Sequence, residues 1–237
     1  MSDSIITVSG LKKSYGKHLV LDNISFDVPK GKIVGLLGPN GCGKTTFLKI
    51  LTGLIHDYSG EVKIDGHKPG IKSKEITAFM PERTYLAEWF KTSDAIDYFA
   101  DFFTDFDKNK AYEFLARFNL DPNQKVKTMS KGMQEKVQLL LVMSRSASLY
   151  VFDEPFSGQD PVARSVILDV IMNNYASDST ILMSTHQVND LEQVFDHVIM
   201  FGHGHVLFND SIESIRAEGK SVEEKYKEVI GNVWEVD

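Results

Sequence analysis

The chain has 237 residues, 42% of them hydrophobic and 25% charged, which is enough for one globular unit with a small subdomain. Its formal net charge of −7 argues against general binding to nucleic acids or anionic lipids, since both require a surplus of positive charge. Its single cysteine excludes an internal disulfide. No apolar run reaches the roughly 18 residues of a membrane span, and no secretion signal is visible, so we expect a cytoplasmic protein with only a peripheral membrane role.

The first part of the chain is predicted to contain mainly short strands. Glycine-containing turns separate its apolar runs, and a glycine-rich loop after one of those runs leads into a helix. That helix is predicted over residues 43–51. The strands are predicted over residues 5–8, 19–28, 32–37, 60–66 and 76–80.

The second part is predicted to be richer in helices. Aromatic residues recur at helical spacing between residues 89 and 120, which indicates a helical subdomain inserted between two strands of the core. Further helices are expected over residues 130–146, 161–175, 187–194 and in the tail from residue 220. Strands are expected over residues 149–153 and 180–184, followed by a hairpin of residues 198–201 and 205–208.

The run from Gly38 to Thr46 fits the pattern G-x-x-x-x-G-K-[ST] between a predicted strand and a predicted helix. Its glycines let backbone N–H groups turn towards a phosphate, and the following helix points its positive end at the same anion. Lys44 would reach the β- and γ-phosphates, and Thr45 would offer its hydroxyl to Mg²⁺. The alternative interpretation of this run is an ordinary glycine-rich turn that binds no phosphate. The predicted nucleoside triphosphate site comprises Gly38, Pro39, Asn40, Gly41, Cys42, Gly43, Lys44, Thr45 and Thr46.

A second chemical signal is the acid pair Asp153 and Glu154, which follows four apolar residues. This pattern is typical of a central strand that ends at the carboxyl edge of a parallel sheet, where open α/β sheets bind ligands. We assign Asp153 to Mg²⁺ and Glu154 to the water that attacks the γ-phosphorus. Alone, such a pair would more often be the cap of the next helix, and the phosphate loop is what favours the metal site.

The run from Thr128 to Gln134 opens a helix ahead of the acidic strand and resembles the signature motif of ABC-type ATPases. Further elements follow the order of that family over nearly the whole chain. Tyr15 matches the aromatic residue that stacks on adenine, and Glu82 occupies the usual place of a glutamine that touches Mg²⁺ and water. Residues 157–161 match the loop that crosses the dimer interface, and His186 matches the switch histidine.

The resemblance implies a site shared by two subunits. Ser130 and Gly132 of one subunit would hold the γ-phosphate of ATP bound by the other, and Asp160 would link the two sites. Glu154, His186 and Lys44 would be the catalytic residues. Thr45, Glu82 and Asp153 would hold Mg²⁺.

The signature run departs from the family pattern at two positions. Lys131 and Met133 stand where the family usually has glycine and glutamine. Contacts made through Ser130 and the backbone survive these changes, whereas those of the missing glutamine side chain do not.

The expected architecture is an α/β P-loop NTPase core with a mostly parallel sheet, an N-terminal antiparallel β subdomain and an inserted helical subdomain. Residues 1–88 and 148–219 would form the nucleotide-binding core. Residues 89–147 would form the helical subdomain with the signature motif, and residues 220–237 a tail helix.

The leading hypothesis for function is the ATP-hydrolysing subunit of an ABC transporter. It would dimerise around two ATP molecules, as a homodimer or with a related subunit, and drive separate membrane-spanning permease subunits. The lysine-bearing signature and the tail resemble those of drug, peptide or lipid exporters, which favours export. The sequence also fits two alternatives: an ABC-type ATPase that acts on a non-membrane scaffold, and a weakly hydrolysing subunit of a heterodimer.

Overall fold

The computed structural model describes residues 3–186 and 192–234. The strands are β1 (Ser4–Tyr15), β2 (His18–Pro29), β3 (Ile33–Leu37), β4 (Ser59–Ile64), β5 (Thr77–Met80), β6 (Leu149–Asp153), β7 (Thr180–Thr185), β8 (His197–Gly202) and β9 (His205–Ser211). The helices are α1 (Lys44–Leu51), α2 (Ile71–Glu75), α3 (Thr92–Phe102), α4 (Lys108–Arg117), α5 (Lys131–Met143), α6 (Pro161–Asn173), α7 (Ile212–Ala217) and α8 (Val222–Trp234). A 3-10 turn at Val126–Thr128 precedes α5.

The N-terminal part folds into a three-stranded antiparallel sheet in the order β2-β1-β4. At its centre Val8 pairs with Phe26 on one side and with Val62 on the other. All three side chains are buried, because the inward face of the sheet carries the apolar residues of each strand. This is the predicted antiparallel β subdomain.

The second sheet of the fold has six strands in the order β5-β6-β7-β3-β8-β9. Its pairs are parallel except for the antiparallel hairpin of β8 and β9. Strands β3, β6 and β7 are buried along their whole length, as expected for parallel strands covered on both faces. Their carboxyl ends carry the residues of the candidate site.

Two hydrophobic cores lie on the two faces of this sheet. Along β6, Leu149 and Val151 face the core shared with the antiparallel sheet, whereas Tyr150 and Phe152 face the core shared with the helices. The first core contains the edge-to-face pair of Phe26 and Phe47, whose ring centroids are 5.2 Å apart.

The helical subdomain is inserted between β5 and β6 and consists of α3, α4 and α5. Arg145, which follows α5 and is only 3% exposed, ties it to the core. Its guanidinium donates to the carbonyl oxygens of Thr77 and Glu75, each at 2.7 Å, and its Nε donates to both carboxylate oxygens of Asp105.

The predicted architecture is confirmed, but several boundaries were wrong. Strand β1 does not end at Val8, because Gly10 adopts a φ of 59° within an irregular pairing and lets the strand continue. The short helices α2 and α7 were not predicted. The helix expected over residues 187–194 falls mainly on residues 187–191, which lie outside the described residues, and residues 192–194 form a turn. No helix in the described part of the chain is both long and apolar enough to cross a membrane.

Candidate functional site

The loop between β3 and α1 has the backbone geometry that its glycines predict. Gly38, Gly41 and Gly43 have φ values of 157°, 80° and 109°, a region that side chains larger than hydrogen disfavour. The backbone at Gly38 also lies too close to Phe201 for a side chain, because a Cβ at Gly38 would lie 2.5 Å from the carbonyl oxygen of Phe201. The loop can therefore turn its N–H groups towards one centre.

Lys44, the first residue of α1, lies folded into this loop. Its Nζ donates to the carbonyl oxygens of Gly38 at 2.6 Å and Pro39 at 3.2 Å, and the residue is 6% exposed. The carboxylate oxygen Oε1 of Glu154 lies 3.7 Å from the same ammonium. The loop thus contains a buried cation at the point where the phosphates would bind.

Asp153 lies at the carboxyl end of β6 and is 1% exposed. Its Oδ1 accepts hydrogen bonds from the hydroxyls of Ser184 at 2.7 Å and Thr45 at 3.2 Å. Burial raises the pKa of Asp153, and the charges of Glu82 and Glu154 raise it further, while the two hydroxyl bonds oppose the rise. A nearby divalent cation would offset the burial of this carboxylate.

The donor set suits Mg²⁺ better than a metal that needs a complete protein cage. Among residues 3–186 and 192–234 no group of three His, Cys, Asp or Glu side chains could hold a metal ion. Mg²⁺ binds through one or two protein oxygens together with waters and substrate phosphates. The carboxylate of Asp153 and the hydroxyl of Thr45 are hard oxygen donors of this kind, 3.2 Å apart.

Glu154 follows β6 in the left-handed region, with a φ of 51°. Its N–H donates to the hydroxyl oxygen of Ser184 at 3.0 Å, which fixes this unusual conformation. Its side chain is 12% exposed and lies between Lys44 and His186, with Oε2 2.9 Å from His186 Nδ1. The structure therefore brings together the three residues predicted to be catalytic.

The predicted signature residues lie at the start of α5. Ser130 caps this helix, and its Oγ accepts from the N–H of Met133 at 3.3 Å. Gly132 faces the side chain of Gln159, and the ammonium of Lys131 lies beside Gly158. These residues thus border the loop of residues 157–161. In that loop Asp160 caps α6, and its hydrogen bonds from Ala163 and Val162 lower the pKa of its carboxyl.

Two further predicted site residues, Tyr15 and Glu82, are exposed. Tyr15 ends β1 and is 50% exposed, with the ammonium of Lys13 4.8 Å from its ring centroid. Glu82 is exposed in the segment after β5, close enough to Asp153 for its charge to raise the pKa of that carboxyl.

Sequence reasoning missed the role of Ser184. This residue pairs directly with Asp153 in the parallel register of β6 and β7, and its hydroxyl contacts both acidic residues. Its position immediately before Thr185 and His186, at the end of an apolar strand, was the available signal.

Comparison with known proteins identifies the family. Residues 21–157 match the ABC transporter family, a range that includes the phosphate loop, the start of α5 and both acidic residues. The chain belongs to this family. It is an ATP-binding subunit of the ABC transporter type, and its helical subdomain and two sheets are those of the ATP-binding cassette.

Individual relatives agree with this assignment. An uncharacterized ABC transporter ATP-binding protein of Methanocaldococcus jannaschii is 34% identical over 216 residues, which cover 89% of this chain and 79% of the relative. A lantibiotic transport ATP-binding protein of Streptococcus pyogenes is 29% identical over 86% of this chain and 89% of its own length. A solved structure of the ATP-binding subunit of an ABC transporter superposes with a TM-score of 0.86 at 28% identity, over 95% of this chain and 99% of that one.

Proposed function

We propose that this ABC transporter subunit hydrolyses ATP between two associated subunits and thereby drives separate membrane-spanning chains. The observation that carries the proposal is the position of Glu154. Its carboxylate lies between the ammonium of Lys44 and the imidazole of His186, next to the buried Asp153. This is a suitable place for a base that acts on a water beside the γ-phosphate.

Each residue then has a role that follows from its contacts. The loop N–H groups and Lys44 bind the β- and γ-phosphates, and Tyr15 stacks on the adenine. Asp153 and Thr45, with Glu82 nearby, would hold Mg²⁺, which neutralises phosphate charge when bound. Glu154 accepts a proton from the attacking water while His186 orients that carboxylate.

A second subunit would complete the site. Ser130 and Gly132 begin a 13-residue helix whose N-terminal end suits an anion, whereas Lys44 of the same chain serves its own phosphate loop. We infer that this helix binds the γ-phosphate held by the partner, so that ATP links the two subunits. Hydrolysis removes that link, and Asp160 at the interface couples the two sites.

A groove between the core and the helical subdomain is the proposed contact with a permease. It encloses about 480 Å³ and is lined mainly by apolar and aromatic side chains, among them Leu54, Tyr85, Tyr98 and Phe102. Phe102 is 66% exposed, and exposed apolar surface of this kind marks protein interfaces. The subunit would thus lie on the cytoplasmic face of the membrane through its permease.

Export is the direction that the relatives favour. The Streptococcus pyogenes relative is named for lantibiotic transport, and a Ralstonia nicotianae relative, 31% identical over 211 residues, is named for Nod factor export. In this proposal residues 1–88 and 148–219 bind nucleotide, residues 89–147 contact the permease and the partner's ATP, and residues 220–237 form the tail.

The test of the proposal is Glu154→Gln, measured by ATP turnover and by size-exclusion chromatography with light scattering. We expect turnover to fall by about 10²–10⁴-fold, as for a lost general base, and a dimer to appear only with Mg-ATP. Glu61→Gln, which removes an exposed carboxylate from β4, is the matched control. Unchanged turnover in Glu154→Gln would refute the assignment.

Lys131 and Met133 in the signature favour one alternative, a weakly hydrolysing subunit beside a more active partner. Turnover of the chain alone and of its complex with a permease separates this alternative from the main proposal. A subunit that stays out of the membrane fraction when coexpressed with candidate permeases would instead point to a non-membrane scaffold.

A further inference from the structure

A buried cation lies directly beneath the proposed base-stacking residue. Lys13 and Tyr15 are two residues apart in β1 and therefore project from the same face of the strand. Lys13 is 6% exposed, Tyr15 is 50% exposed, and the Lys13 Nζ lies 4.8 Å from the centroid of the tyrosine ring. One face of the ring is thus in contact with a desolvated ammonium, an arrangement that is strongest where water is excluded.

The same ammonium binds a second element. Its Nζ lies 3.2 Å from Oδ2 of Asp57, whose side chain is fully exposed in the segment between α1 and β4. Because α1 begins at Lys44 in the phosphate loop, this ion pair joins the strand that carries Tyr15 to the segment that follows the phosphate-binding helix. A buried ammonium needs such partners, since burial without them is costly.

We propose that Lys13 is a positioning residue for nucleotide binding, which covers one face of the Tyr15 ring and leaves the other face for the purine base. The inference rests on the proposed role of Tyr15. Without a fixed contact, a half-exposed tyrosine at a strand end loses rotamer freedom when the base stacks on it. A ring that Lys13 already holds avoids this loss, so the nucleotide binds more tightly. Lys13 itself touches neither base nor phosphate in this proposal.

The test compares two ligands that differ only in whether they carry a nucleoside. Calorimetry gives the Kd of ATP and of inorganic tripolyphosphate for the wild type, Lys13→Met and Lys13→Arg. Without Lys13 the ring is free to rotate until the base immobilises it, which predicts about a fivefold higher Kd for ATP in Lys13→Met. The Kd of tripolyphosphate should change less than about twofold, and Lys13→Arg should retain the affinity for ATP, because guanidinium also stacks on aromatic rings.

Lys12→Met is the matched control. Lys12 is the neighbouring residue on the opposite face of β1, is exposed, and pairs with Asp22 at 3.3 Å. Its replacement removes the same charge from the opposite face of the strand and should leave both Kd values unchanged. An equal effect of the two substitutions would show that only net charge matters and would overturn the proposal.

A double-mutant cycle with Tyr15→Leu completes the test. If Lys13 acts through the ring, Lys13→Met added to Tyr15→Leu should weaken ATP binding no further. Additive effects, or equal losses for ATP and tripolyphosphate, would overturn the proposal. If Lys13→Met fails to fold, Asp57→Asn replaces it in the test, because the Asp57 side chain is fully exposed. Asp57→Asn should weaken the binding of ATP by a smaller factor and leave the binding of tripolyphosphate unchanged. Absence of tripolyphosphate binding to the wild type would instead refute the phosphate-loop assignment.

Discussion

Arg145 offers the sharpest test of how the two subdomains are held together. Its guanidinium donates to the carbonyl oxygens of Thr77, Glu75 and Lys74 and to the carboxylate of Asp105. Its central carbon also lies 3.9 Å from the ring centroid of Phe103. Arg145→Met would keep most of the side-chain volume and remove every one of these hydrogen bonds.

The expected cost is about 3–4 kcal/mol of the free energy of unfolding. Breaking one partner of a buried pair usually costs about 3–5 kcal/mol, and we take the lower part of that range because the Asp105 side chain is 23% exposed. Arg145→Lys keeps the charge but loses the planar fork that reaches three carbonyl groups at once, so about 2 kcal/mol is expected.

Urea unfolding with linear extrapolation measures both values. Arg117→Met is the control, because Arg117 also pairs with an aspartate, Asp169, but is largely exposed and should cost less than about 1 kcal/mol. If Arg145→Met lowers the free energy of unfolding by less than about 1.5 kcal/mol, or by the same amount as Arg117→Met, the stabilising role assigned to the buried hydrogen bonds of Arg145 is refuted.

Three further predictions concern single residues. Burial raises the pKa of Glu135 above its ordinary value of 4.5, so the charged form of this side chain destabilises the fold. Glu135→Gln should therefore increase the free energy of unfolding measured in urea titrations. The increase should be absent below pH 4.5 and should grow as pH rises through the folded-state pKa. Lys44→Ala removes a charge-assisted contact and should raise the calorimetric Kd of ATP by about 10- to 100-fold. Gly38→Ala places a Cβ 2.5 Å from the Phe201 carbonyl oxygen and should lower stability by roughly 1–3 kcal/mol, measured by urea unfolding. A stabilising Gly38→Ala, an unchanged Kd for Lys44→Ala or a pH-independent effect of Glu135→Gln would contradict them.

The sequence was most informative where residue type and backbone geometry depend on each other. Gly38, Gly41 and Gly43 are required by the shape of the loop, and the apolar run before Asp153 is required by a strand buried on both faces. Such features leave a pattern in the chain. The architecture and the neighbourhood of Lys44, Asp153 and Glu154 could therefore be predicted.

Other features leave little trace in the sequence. Helices α2 and α7 have five and six residues, too few to show a helical period. The main partners of Arg145 are backbone carbonyl groups, which every residue possesses, so no residue pattern marks them. The contact of Ser184 with Asp153 depends on strand order, which periodicity within a strand does not reveal.

The burial of Cys42 has a practical consequence for experiments on this protein. The residue is 6% exposed in the phosphate loop, and burial raises the pKa of its thiol, so little reactive thiolate forms at neutral pH. The unmodified chain is therefore a suitable background for fluorescent labelling, in which an engineered surface cysteine will react with maleimide far faster than the native one. Any slower modification of Cys42 will then report exposure of the phosphate loop to solvent, from within the nucleotide site itself.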